Sequence, residues 1–472
     1  MLKKGGYCYF IGIGGIAMAQ VALLLKKMGY QVRGSDPALY PPTDRLLHEG
    51  KIVVEQGYDA DHLTPPPDLV VIGNAVSRGN PEVEAVLDQG IPYTSLPGLI
   101  EEVLLNDKNS AMVVGTHGKT TTASLLAWLL FAGGMDPSFM VGGVALNFGQ
   151  GYRLGHGKWV VLEGDEYDSA FFDKGPKFLH YRPQVVILTS IEYDHADIYQ
   201  DLEAVKSAFR QLLAIIPKKG ALIANTDDEI VSELIPEARC QVKTFGAAGL
   251  WSPTEVRTTS EGTIFHLYEG GEDRGEFTIP LWGLHNVGNA LGAVIAGTLI
   301  GLTIPQIREG LRTFQGVRRR MELVGEARGI TVIDDFAHHP TAIRETLRAV
   351  RSRFPDGRLW AIFEPRSQTM RRAILQGELT EALQEADHVV MGKVFSPPSQ
   401  GGALDPSWVA QEISRAKGDA AARYLEDAEE IVSHCLSEAA PGDVIVVMSS
   451  GHFAGLPERI FMALRTSEEQ RT

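Results

Sequence analysis

The sequence predicts an α/β protein of three domains, each built on a mostly parallel sheet flanked by helices. Short apolar runs of strand length alternate with helix-length amphipathic stretches along the whole chain. Two of these runs end in glycine-rich turns that open a helix, Gly12-Ile13-Gly14-Gly15 and Gly115-Thr116-His117-Gly118. Polar or basic breaks at 106–110 and near Arg318-Arg319-Arg320-Met321 separate the pattern into segments. The expected domains are therefore 1–107, 108–320 and 321–472.

In the first segment, residues 7–11 read as a strand, followed by a helix to about Met28 and a second strand at 31–33 ending in Gly34-Ser35-Asp36. This is close to a dinucleotide fingerprint, with Ala17 where a third glycine often sits and Asp36 at the end of the second strand. A Rossmann-like domain follows from it. The turn suits the diphosphate of NAD, and equally that of another nucleotide conjugate such as a UDP-sugar. Apolar runs at 69–72 and near Tyr93 continue the pattern.

The second segment opens with an apolar run, 111–114, that delivers the backbone to Gly115-Thr116-His117-Gly118-Lys119-Thr120-Thr121. Backbone N–H groups of such a turn face phosphates, Lys119 supplies positive charge, and Thr120 can reach Mg²⁺. The spacing is shorter than the general phosphate loop, which would place a glycine where Val113 stands. A central P-loop ATPase domain is expected, with strands at 159–163, 185–190 and 221–224 in a mostly parallel sheet. Between 256 and 281, short alternating runs with turn glycines predict an antiparallel flap. In the third segment, strands at 331–333, 359–363, 388–391 and 444–448 alternate with helices and predict a second Rossmann-like α/β domain.

Bulk properties narrow the functions open to such a chain. Its 472 residues, 44% hydrophobic and 22% charged, suit several soluble domains, each with its own core. A formal net charge of -15 speaks against nonspecific binding to nucleic acid or anionic membranes, but not against a nucleotide held at a local positive site. Cys8, Cys240 and Cys435 are far apart and suit free thiols in a reducing cytosol. Lys3-Lys4 before an apolar run superficially resembles a secretory signal, but the glycines and Lys26-Lys27 argue for a nucleotide turn instead. No stretch is long and apolar enough to insert in a membrane, and a cytoplasmic location is expected.

Several polar residues fall where parallel sheets present ligands. Glu163 ends one predicted strand and His195 follows another, so both face the crevice as candidate Mg²⁺ ligands beside Thr120. Asp168 and Asp197 read as solvated loop acids. Asn286 and Asn289 share a face of the helix opened by Gly283-Leu284-His285, and an amide can pair with adenine. Asp334-Asp335-Phe336-Ala337-His338-His339-Pro340 follows a strand and precedes a helix, as a ligand-contact loop would. Glu364-Pro365-Arg366-Ser367 occupies the same kind of position one strand later, and Arg366 can grip a carboxylate through two hydrogen bonds.

Taken in order, Gly115-Thr116-His117-Gly118-Lys119-Thr120-Thr121, Glu163-Gly164-Asp165-Glu166, Asp194-His195, His285-Asn286-Val287-Gly288-Asn289 and Asp334-Asp335-Phe336-Ala337-His338-His339-Pro340 resemble the Mur ligases, the ATP-dependent amide-forming family of peptidoglycan assembly. The opening Gly12-Ile13-Gly14-Gly15-Ile16-Ala17 and the paired histidines before Pro340 resemble the branch that acts on UDP-N-acetylmuramate. The resemblance implies that Gly12, Gly14, Gly15, Ser35, Asp36, Asn74, Ala75 and Ser77 bind the UDP-sugar. It implies ATP at Gly115, Thr116, His117, Gly118, Lys119, Thr120, Thr121, Asn289, Arg320 and Asp335, with Mg²⁺ on Thr120, Glu163 and His195. Lys119, Glu163 and His195 would be the catalytic set, and His180, Arg366 and Ser367 would bind the acceptor.

Within that branch the acceptor is either the recycled tripeptide L-Ala-γ-D-Glu-meso-diaminopimelate or L-alanine. Phe171-Phe172-Asp173-Lys174, Lys177-Phe178-Leu179-His180-Tyr181, Glu364-Pro365-Arg366-Ser367 and Met448-Ser449-Ser450-Gly451-His452-Phe453 resemble the tripeptide enzyme. Gly164 stands where the family pattern has alanine, a change expected to be tolerated. Some branches carbamylate a lysine after the Asp-His motif; Ser207-Ala208-Phe209-Arg210 offers none there, so no carbamate is expected. Two readings from other classes compete: a nucleotide-dependent switch using the same phosphate loop, and an NAD oxidoreductase based on the first thirty-six residues alone.

Overall fold

The computed structural model describes residues 3–41, 43–396 and 402–469. The chain forms two compact units. One comprises Met1–Glu192, Leu202–Ser252 and Asn289–Gly310; the other comprises Tyr193–Asp201, Pro253–Gly288 and Leu311–Thr472.

The first unit begins with β1 (Tyr7–Ile11), α1 (Ile16–Lys27), β2 (Gln31–Asp36), α2 (Thr43–Glu49), β3 (Val53–Gln56), β4 (Leu69–Ile72), α3 (Pro81–Gln89), β5 (Tyr93–Ser95) and α4 (Leu96–Leu104). The five strands are parallel, in the order β3-β2-β1-β4-β5. Strand order therefore reverses between β1 and β4. A parallel sheet opens a crevice at such a reversal, beyond the carboxyl ends of the two strands. The loop after β1 carries Gly12–Gly15 and the loop after β4 carries Asn74–Ser77, so both expected UDP-sugar segments flank that crevice.

A second sheet in this unit holds β6 (Asn109–Val114), β7 (Ser138–Ala145), β8 (Gln150–Arg153), β9 (Trp159–Gly164), β12 (Pro183–Leu188), β13 (Ala221–Asn225) and β14 (Gln241–Phe245), in the order β14-β13-β12-β6-β9-β7-β8. Only β7–β8 is antiparallel. Between β9 and β12 lies a small hairpin, β10 (Asp168–Ala170) and β11 (Asp173–Pro176). The helices are α5 (Lys119–Ala132), α6 (Leu202–Ile215) and α7 (Glu229–Leu234). Central β6 is buried at all but its first residue and lies between β12 and β9, so its carboxyl end is again a switch point. β12 ends two residues earlier than its apolar run suggests, because Thr189 and Ser190 leave the sheet for the loop after β6. At Gly164 an added Cβ would lie 2.6 Å from Val114 and 2.8 Å from Met112, so the alanine of the family pattern would require those side chains to move here.

Then come β15 (Trp251–Thr259), β16 (Gly262–Glu269), β17 (Glu272–Ile279), α8 (Leu284–Ile300) and α9 (Ile304–Arg312). β16 and β17 pair antiparallel, as the alternating 256–281 segment predicts. The boundary between the units falls inside α8, between Gly288 and Asn289.

The second unit carries β18 (Glu322–Ala327), β19 (Ile330–Asp335), α10 (Pro340–Arg353), β20 (Leu359–Phe363), α11 (Gln376–Leu383), β21 (His388–Met391), α12 (Pro406–Lys417), β22 (Ala422–Tyr424), α13 (Ala428–Glu438), β23 (Val444–Met448) and α14 (Leu456–Glu469). Its sheet runs β18-β19-β23-β20-β21-β22, parallel except at the β18 edge. Alternation along β20 divides two cores: Leu359, Ala361 and Phe363 enter one, Trp360 and Ile362 the other. Asp334 and Asp335 are the last residues of β19 rather than a loop beyond it. No helix among the described residues is long and apolar enough to cross a membrane.

Candidate active site

The loop after β6 turns through Gly115 (φ 129) and Gly118 (φ 77), backbone conformations that favour glycine. A Cβ on Gly115 would lie 2.3 Å from Thr189 Oγ1, and one on Gly118 would lie 2.4 Å from Asn289 Oδ1. The loop is strapped from outside by the segment after β12. Thr116 N–H donates to the Ser190 carbonyl (2.9 Å), and His117 N–H donates to Ser190 Oγ (3.0 Å). Thr189 Oγ1 donates to the His117 carbonyl (2.6 Å), while Glu192 Oε2 lies 2.7 Å from His117 Nε2. Gly118 precedes α5 with no side-chain cap, and a helix start of this kind suits an anion.

Two carboxylates meet this loop. Thr120 Oγ1 donates to Glu163 Oε1 at 2.9 Å, and Gly142 N–H holds the other Glu163 oxygen at 2.7 Å. Lys119 Nζ lies 2.9 and 3.2 Å from the two oxygens of Glu166, and also donates to the Gly115 carbonyl at 2.6 Å. Glu166 is 2% exposed, so this is a desolvated pair. Burial alone would pull the Lys119 ammonium down; the charges of Glu166, Asp165 and Glu163 outweigh it and hold the ammonium above its ordinary value. Glu166 is thus the counter-ion of the loop lysine.

Asn289 packs over the same helix start: Thr122 Oγ1 donates to Asn289 Oδ1 at 3.0 Å. Asn286 differs. Its amide donates to the Trp282 carbonyl at 2.8 Å, which ties down the start of α8.

At the first switch point, Gly12 (φ 81) and Ile13 donate N–H to the Ser35 carbonyl. Gly14 N–H donates to Asp36 Oδ2 at 2.8 Å, and a Cβ there would lie 2.7 Å from that oxygen. Gly15 precedes α1 with no side-chain cap. Ser35 is fully buried and its hydroxyl donates to Glu82, so it shapes the turn from behind. Asn74, Ala75 and Ser77 are exposed. The two sheets of this unit are joined through the β10–β11 hairpin: Asn74 Nδ2 donates to the Asp168 carbonyl (2.7 Å), and Ser95 Oγ donates to Asp173 (3.0 Å). His180 belongs here too, with Nε2 2.8 Å from Asp173 and Nδ1 3.8 Å from Glu101. Lys174 and Lys177 pair with Asp168 and Asp165.

The second unit gathers the remaining residues. Asp335 is buried at the end of β19 and accepts from the N–H groups of Met321 (2.6 Å) and Ala337 (2.8 Å) and from Thr346 Oγ1 (3.2 Å). Burial raises its carboxyl above the ordinary value. Arg320 stacks over Phe336, 4.6 Å from the ring centroid. Asp334 faces Arg319 at 3.1 Å, yet burial pushes its carboxyl up to about 6. Arg366 lies over the Phe395 ring, 3.6 Å from the centroid, and packs flat on Gly451. Ser367 Oγ accepts from Met370 N–H and closes that turn.

His195 also belongs to this unit, in the left-handed region (φ 54), several residues past β12 rather than at its end. The acid before it, Asp194, has an oxygen 3.7 Å from His338 Nε2. Burial works against its charge, but the imidazoles of His338 and His195 and the Thr369 hydroxyl hold its carboxyl well below the usual range. Thus Thr120, Glu163 and Lys119 lie together in the first unit, while His195, Arg320, Asp335, Arg366 and Ser367 belong to the second. The sequence reading missed Glu166, Thr189, Ser190, Glu192 and Thr369. Their only signal was proximity to strand ends.

Two glycine turns on separate, mostly parallel sheets, each opening a helix with no side-chain cap and one leading into a lysine, a threonine and a carboxylate, suit an enzyme that activates one substrate with a nucleotide. Family models agree. "Mur ligase family, catalytic domain" matches residues 7–108, "Mur ligase middle domain" matches 113–297, and "Mur ligase, glutamate ligase domain" matches 319–451. The chain belongs to the Mur ligase family and is an ATP-dependent, amide-forming enzyme.

Among its relatives, the chain is 39% identical to the UDP-N-acetylmuramate–L-alanyl-γ-D-glutamyl-meso-2,6-diaminoheptandioate ligase of Escherichia coli, over 98% of this chain and 99% of that one. It is 35% identical to the UDP-N-acetylmuramate–L-alanine ligase of Desulfosudis oleivorans, over 96% and 97%. A crystal structure of a murein peptide ligase from Psychrobacter arcticus superposes with TM-score 0.72 at 36% identity, covering 98% of this chain and 99% of that one. The UDP-N-acetylmuramate–alanine ligase of Thermotoga maritima superposes with TM-score 0.81 at 25% identity, covering 98% and 100%.

Proposed function

We propose that this enzyme joins the lactyl carboxylate of UDP-N-acetylmuramate to the amine of L-Ala-γ-D-Glu-meso-diaminopimelate, at the expense of ATP and in the cytoplasm. The observation that carries the acceptor is the 39% identity to the Escherichia coli tripeptide ligase over nearly the full length of both chains, against 35% for the L-alanine ligase above. On this reading the Gly12–Gly15 turn and the uncapped start of α1 hold the UDP diphosphate, with Asp36 fixing the turn through Gly14. Asn74, Ala75 and Ser77 face the sugar from the other side of the switch point.

The loop after β6 holds the ATP phosphates on its N–H groups, and Lys119 exchanges Glu166 for them. Asn289 on α8, Arg320 before β18 and Asp335 at the end of β19 are the further nucleotide contacts that the family resemblance implies. Mg²⁺ fits the donor set: the Thr120 hydroxyl and the Glu163 carboxylate converge at 2.9 Å, two hard oxygens that leave room for phosphate and water ligands. Thr120, Glu163 and His195 would hold the ion, which when bound neutralises charge on the transferring phosphoryl group. The muramyl carboxylate takes that phosphoryl group, because a free carboxylate is a poor acyl donor. The acceptor amine then displaces phosphate and forms the amide. Arg366, packed over Phe395 and against Gly451, would grip an acceptor carboxylate, with Ser367 beside it.

Phosphate release from ATP should require UDP-N-acetylmuramate and the tripeptide together. Turnover driven by L-alanine alone would replace this acceptor with the biosynthetic one. Phosphate release that ignores both substrates would favour a nucleotide switch.

A further inference from the structure

The residues on either side of His195 are gripped from a single loop, 364–372, between β20 and α11. Thr369, 1% exposed, donates its hydroxyl to Asp194 Oδ1 at 2.5 Å and accepts from Ala196 N–H at 3.2 Å. Arg372 donates to the Ala196 carbonyl at 2.8 Å. Asp194 Oδ1, the oxygen that Thr369 holds, also accepts the N–H of His195 itself at 2.7 Å. His195 sits at φ 54, where a residue with a side chain is strained unless its surroundings over-determine it. Here they do: the peptide before His195 is held by Thr369 through Asp194, the peptide after it is held by Thr369 at the Ala196 N–H and by the Ile198 and Tyr199 N–H groups at the His195 carbonyl, and Arg372 fixes the next peptide. All these residues lie in one compact unit.

We infer that Thr369 and Arg372 are positioning residues for His195, holding its backbone in the left-handed conformation that aims the imidazole as a metal ligand. This rests on the reading of His195 as a ligand of the nucleotide-bound metal. Neither residue touches the ion or a substrate; each acts through Asp194 and Ala196. Because the same loop carries Arg366 and Ser367, the acceptor side and the metal side of the enzyme share one mechanical support.

The test uses the full chain with a non-hydrolysable ATP analogue and Mn²⁺, its binding read by electron paramagnetic resonance. Thr369→Val keeps the shape and removes both hydrogen bonds. It should weaken Mn²⁺ binding by about 10–100-fold, the usual cost of losing an outer partner of a metal ligand. Thr369→Ser should restore binding. His195→Ala measures the ligand's own contribution: unchanged Mn²⁺ binding there would overturn both the ligand assignment and the inference. If His195→Ala weakens binding and Thr369→Val does not, the inference alone fails. Should Thr369→Val not fold, Arg372→Gln loosens the same segment at Ala196, and wild-type Mn²⁺ affinity in that variant would equally overturn the proposal.

Discussion

Replacing Glu166 by glutamine removes the negative charge facing Lys119 while preserving the shape of the side chain. In the structure the ammonium has both Glu166 oxygens within 3.2 Å, and the carboxylate is 2% exposed. Breaking a buried pair by deleting one partner costs about 3–5 kcal/mol. Glutamine keeps one acceptor oxygen, and the Gly115 carbonyl still accepts from Nζ at 2.6 Å, so the loss should be nearer one charge-assisted hydrogen bond, about 2 kcal/mol. That cost applies only while Lys119 has no other anion.

Nucleotide reverses the sign. Triphosphate must displace Glu166 from Lys119 in the wild type, and the glutamine variant removes that competition. If most of the 2 kcal/mol is recovered on binding, the dissociation constant of a non-hydrolysable ATP analogue should fall about tenfold, since ~1.4 kcal/mol corresponds to a factor of ten. The variant should therefore be less stable than wild type in urea without nucleotide, and bind the analogue more tightly in calorimetry. Unchanged stability together with weaker binding would refute the reasoning. Glu166 would then belong to the nucleotide site itself, not to a counter-ion that yields to it.

Three further outcomes follow from the same geometry. Lys119→Ala should abolish ATP turnover while UDP-N-acetylmuramate still binds with an affinity within about threefold of wild type, because the two glycine turns stand on separate sheets; calorimetry with the UDP-sugar checks it. Gly14→Ala puts a Cβ 2.7 Å from Asp36 Oδ2 and should raise the UDP-sugar dissociation constant about tenfold or more, leaving binding of the ATP analogue alone; the same calorimetry reads both. Asp334 has its pKa raised from 3.8 to about 6 in the folded chain, chiefly by burial, so the folded state binds its proton more tightly than the unfolded one. Stability should then fall as pH rises from about 4 to about 6, by up to about 3 kcal/mol for this group, and urea midpoints of Asp334→Asn should lack that part of the slope.

The fold was legible wherever burial on both faces writes an uninterrupted apolar run. β1, β4, β6, β20 and β23 are such strands, and each follows its run closely. Strands that escaped notice lie at edges or are interrupted by polar residues or glycines: β14 reads Gln-Val-Lys-Thr-Phe, and β7 contains Gly142 and Gly143. β18, the antiparallel edge of the last sheet, holds Gly325, where a Cβ would strike Phe461 at 2.5 Å. None of these has the period-two hydrophobicity that marks a strand from sequence alone.

Within the candidate site, sequence reasoning reached the residues whose type has a narrow chemical use. A glycine turn, then lysine and threonine, suits a phosphate, and Thr120 after β6 and Glu163 at the end of β9 meet in the structure. Glu166 and Thr369 were not legible, because carboxylates and hydroxyls are common and only their partners give them meaning. Glu192-Tyr193-Asp194-His195 shows the deeper reason. Read along the chain, it is one motif at one strand end. In space the chain changes unit between Glu192 and Tyr193: Glu192 braces the phosphate loop through His117, while Asp194 is held by Thr369. Four consecutive residues thus serve two supports. A substitution at Glu192 should therefore loosen the phosphate loop and weaken binding of the ATP analogue measured without metal, whereas one at Asp194 should act through His195 and show in Mn²⁺ binding, a division that sequence adjacency alone would never suggest.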